Sequence, residues 1–220
     1  MARTEIDCYI DFSCPWSYIG LLRLQDAADR HATQIIIKPV SVKDLLTTEN
    51  PSISSRILAE NPAKALWQEE DLRLWSEMWG ISLKIHEKWP FDAKITAAAF
   101  LLASPETDLI AYALAIFSAH FRAGKDTTDV DVLAVIAANH QVDAVGFRAQ
   151  IEAADVHEQV AGYTEELIRR GGFGTPSMFL DSELFFGNDR IPLLEWRLGP
   201  MSDLDFVMPG QHGPPEGIEI

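Results

Sequence analysis

Apolar residues recur along the chain with two different periods. "IDCYIDF", residues 6–12, is short, β-branched and aromatic, and reads as a strand. Pro15 follows at a place that suits the first turn of a helix. "WSYIGLLRLQDAADRHA", residues 16–32, then carries Tyr18, Leu21, Leu22 and Leu24 at helical spacing. "QIIIKPVSV", residues 34–42, reads as a second strand with Pro39 late in it. The first 42 residues therefore form a β-α-β unit whose strands are expected to be parallel.

From Leu45 to Arg170 the pattern holds no convincing strand. "TTENPSISSRILAENPAK" is a loop or broken helix punctuated by Pro51 and Pro62. "AKALWQEEDLRLWSEMWG" is an amphipathic helix closed by Gly80, and "ISLKIHEKWPFD" is an extended connection. "AKITAAAFLLA" is a helix rich in small residues. "SPETDLIAYALAIFSAHFRAG" predicts a helix with Ser104 as N-cap and Pro105 at its first position, ending at Gly124. "TTDVDVLAVIAANHQ", "DAVGFRAQIEAA" and "ADVHEQVAGYTEELIRRG" continue the helical block.

The strand period returns after Arg170. Ser177 to Leu180 reads as a strand, Asp181-Ser182 as a tight turn, and "ELFFG" as the returning antiparallel strand. "DRIPLLEWRL" closes as a helix. Residues 200–220 are rich in Gly and Pro without periodicity and read as a tail. The layout predicts an α/β fold: a four-stranded mixed sheet of thioredoxin-like arrangement with a large all-helical insertion. The sheet domain is assembled from residues 1–42 and 171–199, with the insertion at 43–170.

Composition narrows the function classes. Apolar residues make up 47% and charged residues 23%, which fits a packed globular core. The formal net charge of −15 disfavours nucleic acid and anionic membrane as partners. No apolar run is long enough to span a bilayer, and the N-terminus lacks the layout of a secretory signal. A cytoplasmic protein is expected. In that compartment Cys8 and Cys14 are expected to stay reduced. The six histidines show no metal-ligand spacing.

Candidate chemistry concentrates at Cys14. It follows a strand and precedes Pro15 and a helix, so the helix's orphan N–H groups and positive dipole end are expected to face the sulfur and lower its pKa. Cys8, mid-strand, reads as a small buried hydrophobe. Ser17 has two readings: a hydroxyl donor to the Cys14 sulfur, or a capping residue. It does not replace a resolving cysteine. The approach "GGFGTPSMF" suggests a cis Thr175-Pro176 bond, with the Thr175 backbone free to pair with an extended peptide. Asn188 or Asp189 suits the cap of the last helix, and Asp189 equally suits an ammonium group. Trp67, Trp75 and Trp79 fall at helical intervals and read as a packing stripe.

Three of these segments together carry a resemblance. "DFSCPWSY", "GGFGTPSMF" and "FFGNDRIPLL", in this order around a helical insertion, resemble the DsbA-like branch of the thioredoxin superfamily. The nearest members are the 2-hydroxychromene-2-carboxylate isomerases and the kappa-class glutathione transferases. The resemblance implies a glutathione site: the ligand sulfur at position 14, the Thr175 backbone beside cis Pro176 pairing with its cysteinyl part, and Asn188 and Asp189 on its γ-glutamyl end. "NPAKALWQEEDL" is similar to the segment that implies Lys64 on the glycine carboxylate, with Asn50 upstream in the same site. Homodimers are common in the family, and a homodimer is expected here.

One position departs from the pattern. Glutathione-binding members have Ser where this chain has Cys14, and disulfide-handling relatives have a second Cys where it has Ser17. Two mechanisms compete. In one, the glutathione thiolate adds to an electrophilic conjugated substrate, a bond rotates and glutathione leaves, with Cys14 as hydrogen-bond donor or spectator. In the other, Cys14 attacks a disulfide and glutathione resolves the mixed disulfide. A non-catalytic binding protein on the same fold is the third reading.

Overall fold

The computed structural model of the protein describes residues 4–49, 62–143 and 146–199. The β-α-β unit is present: β1 (Glu5–Ile10), α1 (Pro15–His31) and β2 (Gln34–Pro39). Pro15 occupies the first turn of α1. β1 and β2 pair in parallel, with Glu5 opposite Gln34 and Ile10 opposite Pro39.

A helix absent from the sequence reading follows at once: α2 (Val42–Glu49). Its start is fixed by Ser41, whose hydroxyl accepts from the Asp44 amide at 3.2 Å. The Val42 amide donates to the buried carboxylate of Asp11 at 2.7 Å. Val42 therefore opens a helix instead of ending a strand.

Next come α3 (Pro62–Met78), α4 (Lys94–Leu101), α5 (Leu109–Phe121), α6 (Val130–Ala138), α7 (Phe147–Ile151) and α8 (Ala154–Arg169). Gly80 closes α3 as expected. It has φ +64°, its amide donates to Glu77 O, and the Ile81 amide donates to Ser76 O at 2.8 Å. The start of α5 differs from the expectation at Ser104. Asp108 caps the helix, accepting from the Ile110 and Ala111 amides, and the helix ends at Phe121, ahead of Gly124. Ser104 and Thr107 instead bond each other in the preceding turn. A carboxylate immediately before the apolar run outcompetes a serine five residues before it.

The chain then returns through β3 (Ser177–Leu180), β4 (Glu183–Phe186), a 3₁₀ turn (Asn188–Arg190) and α9 (Ile191–Leu198). The sheet order is β2-β1-β3-β4, with β3 antiparallel to both of its neighbours. Asp181, at φ +53°, makes the tight β3–β4 turn.

β1 is buried on both faces, and the two faces meet different layers. Ile6, Cys8 and Ile10 join Ile19, Leu21 and Leu24 of α1 in a cluster that runs on to Phe100 and Phe117. Tyr9 points the other way and packs with Val40, Leu45, Leu167 and Phe179. α8 covers this second face through Leu167, with Tyr163 and Ile168 partly buried against it, while its Val156 and Val160 join the first cluster. No helix among the described residues is long and apolar enough to cross a membrane.

Candidate functional site

Cys14 stands at the N-cap of α1 with extended backbone angles, φ −97° and ψ 111°. Its amide donates to Asp11 O at 3.0 Å, and its carbonyl accepts from the Ser17 amide at 3.0 Å. Its thiol donates to the Thr175 carbonyl at 3.5 Å. The Thr175-Pro176 bond is cis, as the Gly-rich approach suggested; a second cis bond, Trp89-Pro90, carried no signal in the pattern.

The thiol departs from the expectation drawn from the helix start. Protein packed around the sulfur raises its pKa above the ordinary thiol value, and the nearby Asp11 charge adds to this. The polar groups of Thr175 and Ser17 act in the opposite direction and do not prevail. Burial is the largest of these influences. Cys14 is a protonated hydrogen-bond donor at neutral pH. Cys8 is fully buried in β1, and burial pushes its thiol up to about 12.

Ser17 is also fully buried, and its hydroxyl accepts the Asp11 amide at 3.3 Å. It ties the strand end to the first turn of α1. Asp11, absent from the sequence reading, lies beneath the site. It accepts from the Ser13 amide, the Ser13 hydroxyl and the Val42 amide, and burial raises its pKa. Trp89 closes the other side, its indole N–H donating to Ser13 O at 2.8 Å.

Beside Cys14 opens a cleft of about 430 Å³. Thr175, Asn188 and Asp189 line one wall, Trp67, Gln68, Asp71 and Trp75 of α3 the other, and Trp16 and Phe186 its ends. Thr175 is 8% exposed, and its hydroxyl oxygen is buried without a hydrogen-bond partner. Pro176 sits directly against α1: a Cβ at Gly20 would lie 2.8 Å from Pro176 Cγ. Gly187, at φ +93°, donates its amide to Pro176 O at 2.9 Å and so ties the end of β4 to the cis-proline loop.

The predicted residues are thus largely brought together. Cys14, Thr175, Pro176, Asn188 and Asp189 converge. Lys64 is exposed at the start of α3 and does not line the cleft. It is three and four residues before Trp67 and Gln68, on the helix face that does. Asn50 lies outside the described residues. The packing-stripe reading holds for Trp75 and Trp79, which pack on the main cluster, and fails for Trp67, which is 62% exposed and with Trp75 lines the cleft. The Lys64–Trp67/Gln68–Asp71–Trp75 spacing held that signal, a polar residue at every turn of an otherwise apolar stripe.

Arg23 was also missed. This α1 residue is 7% exposed and lies behind both walls. Its guanidinium is 4.3 Å from the centroid of the Trp75 ring, and its Nη1 donates to both the backbone O and Oδ1 of Asn188 at 2.5 Å. Nothing in the sequence distinguishes an arginine on the buried side of α1 from one on its surface.

A family model described as the DSBA-like thioredoxin domain matches residues 5–199. The chain belongs to this family. The chain is similar to a 2-hydroxychromene-2-carboxylate isomerase of Pseudomonas putida, 26% identical over 195 residues, covering 88% of this chain and 94% of that one. A solved structure of a 2-hydroxychromene-2-carboxylate isomerase superposes with a TM-score of 0.78 at 25% identity, over 88% of this chain and 94% of the other. The cytosolic disulfide reductase DsbM of Pseudomonas aeruginosa, solved with GSH, shares the fold. Its TM-score is 0.59 at 19% identity, over 88% of this chain and 98% of that one.

Proposed function

We propose that this protein is an enzyme, a glutathione-dependent isomerase of the 2-hydroxychromene-2-carboxylate isomerase type, acting on a conjugated, electrophilic small molecule. The observation that carries the reading is the cleft lined by Thr175, Asn188 and Asp189, with the Cys14 thiol bonded to the carbonyl of the Thr175 that lines it. These groups fit a short zwitterionic peptide bearing a thiol. Bound glutathione would supply a nucleophilic thiolate for reversible addition to the conjugated carbon, the chemistry by which a neighbouring double bond is freed to turn. Cys14 holds its proton and donates a hydrogen bond to the ligand sulfur in place of Thr175 O. Asp189 accepts from the ammonium group, and Lys64, on the cleft-facing side of α3, meets the far carboxylate. Trp16, Trp67 and Phe186 exclude water from the reacting carbon.

A second reading rests on Cys14 reaching the surface with no second thiol beside it. Its thiolate would attack a disulfide, one sulfur bonding to Cys14 and the other leaving as thiolate, and glutathione thiolate from solution would then displace Cys14. The raised thiol pKa disfavours this route.

Calorimetry with reduced glutathione on the wild type and Cys14→Ser, with the mass of the wild type after oxidised glutathione, separates the two. The isomerase reading expects saturable binding that survives Cys14→Ser and no lasting adduct at neutral pH. Loss of binding in the variant, with rapid gain of one glutathionyl group on Cys14, would establish the oxidoreductase instead.

A further inference from the structure

We propose that Arg23 is a positioning residue that fixes which end of the Asn188 side-chain amide faces the cleft, and so makes position 188 a donor that selects a ligand carboxylate next to an ammonium group. The proposal rests on the glutathione reading and assigns a chemical division of labour within that site.

A guanidinium has donors and no acceptor. Nη1 of Arg23 lies 2.5 Å from one end of the Asn188 amide, and only the oxygen is compatible with that contact. The same nitrogen donates to the Asn188 backbone carbonyl, so the side chain is gripped at two points. Asn188 is 5% exposed and has no freedom to turn over in solvent. Its oxygen is consumed behind the wall. The amide nitrogen has no hydrogen-bond partner among the described residues and is not among the sealed-off buried donors. It is the end that meets the cleft.

Arg23 is itself immobilised. Trp75 stacks on its guanidinium at 4.3 Å, with Trp79 at 5.7 Å. One buried cation therefore holds both walls, since Asn188 and Trp75 each line the cleft. The neighbour of Asn188 has the opposite character. Asp189 is half-exposed, and an ionised carboxylate only accepts hydrogen bonds. A locked N–H₂ donor beside an acceptor recognises an α-carboxylate and an α-ammonium group on one carbon, the free end of a γ-glutamyl peptide. A carboxylate at both positions would bind the ammonium and repel the acid.

The test compares glutathione with γ-aminobutyryl-cysteinyl-glycine, the same peptide without its α-carboxylate, by calorimetry. Asn188→Asp keeps the shape and the pairing to Arg23 but presents an acceptor to the cleft. It is expected to lose about 10- to 100-fold in glutathione affinity, the worth of a hydrogen bond to a charged group, and to bind the truncated peptide as the wild type does. Arg23→Met, with folding checked by its unfolding transition, is expected to show the same selective loss. Equal loss for both peptides means that Arg23 only supports the wall, and it overturns the inference while leaving the glutathione reading intact. Wild-type affinity for glutathione in Asn188→Asp overturns it directly. A wild type that binds neither peptide overturns the glutathione reading and this inference with it.

Discussion

At the scale of single residues, the decisive group is the Cys14 thiol. It stands at a helix start, where the dipole favours a thiolate, yet burial raises its pKa. The sign of the consequence is definite. A pKa above the ordinary ~8.5 leaves less thiolate at neutral pH than a free cysteine has. Alkylation of Cys14 by iodoacetamide at pH 7 is therefore expected to be slower than that of a small free thiol. Its rate should climb to half-maximum only above that ordinary value. A half-maximum below pH 7.5 would show that the dipole governs the site after all. Cys8, with its thiol pushed up to about 12 and no exposed surface, should stay unmodified in the folded protein throughout.

At the scale of elements, the site depends on how closely α1 approaches the cis-proline loop. Gly20 is the contact point: a side chain there would overlap the Pro176 ring, which the Gly187 amide pins from behind. Gly20→Ala gains about 1 kcal/mol of helix propensity and meets an overpacking cost of about 1–3 kcal/mol. The expected net is a loss of about 1 kcal/mol in urea unfolding, with the Pro176 loop displaced away from Cys14. A gain in stability would mean that the loop shifts freely, and that its place beside the thiol is not fixed by α1.

For the molecule as a whole, the cleft exists because α3 is held against the sheet layer. α3 is the most open helix: Leu66, Trp67, Leu74 and Met78 are all more than half exposed. Its attachment runs through Leu72, Trp75 and Trp79 packed on the main cluster, and through the stack of Trp75 on Arg23. A desolvated stack of this kind is worth about 2 kcal/mol. Trp75→Ala is expected to lower global stability by about that amount. It should also raise amide hydrogen exchange in α3 well before exchange in β1 or α1. Uniform exchange across the chain would show that α3 and the sheet layer open together.

The sequence alone determined the elements whose signals are local. Strand and helix periods, Pro15 at a helix start, Gly80 at a helix end and the turn at Asp181 depend on neighbours within a few residues. The four-stranded mixed sheet followed from the β-α-β and β-β-α ends. Most of the candidate site was legible for the same reason, since Cys14, Thr175, Pro176, Asn188 and Asp189 sit at element junctions with distinctive residue types. Tertiary structure decided everything that depends on surroundings. α2 forms because the buried Asp11 takes the Val42 amide. The tryptophans of α3 become a cleft wall because of what lies opposite them. Arg23 becomes part of the site because α1 turns it inward under Asn188. The charge state of Cys14 was the least legible of all. A helix start can be read from four letters, but the desolvation that overrides it is the summed effect of atoms brought in from across the fold.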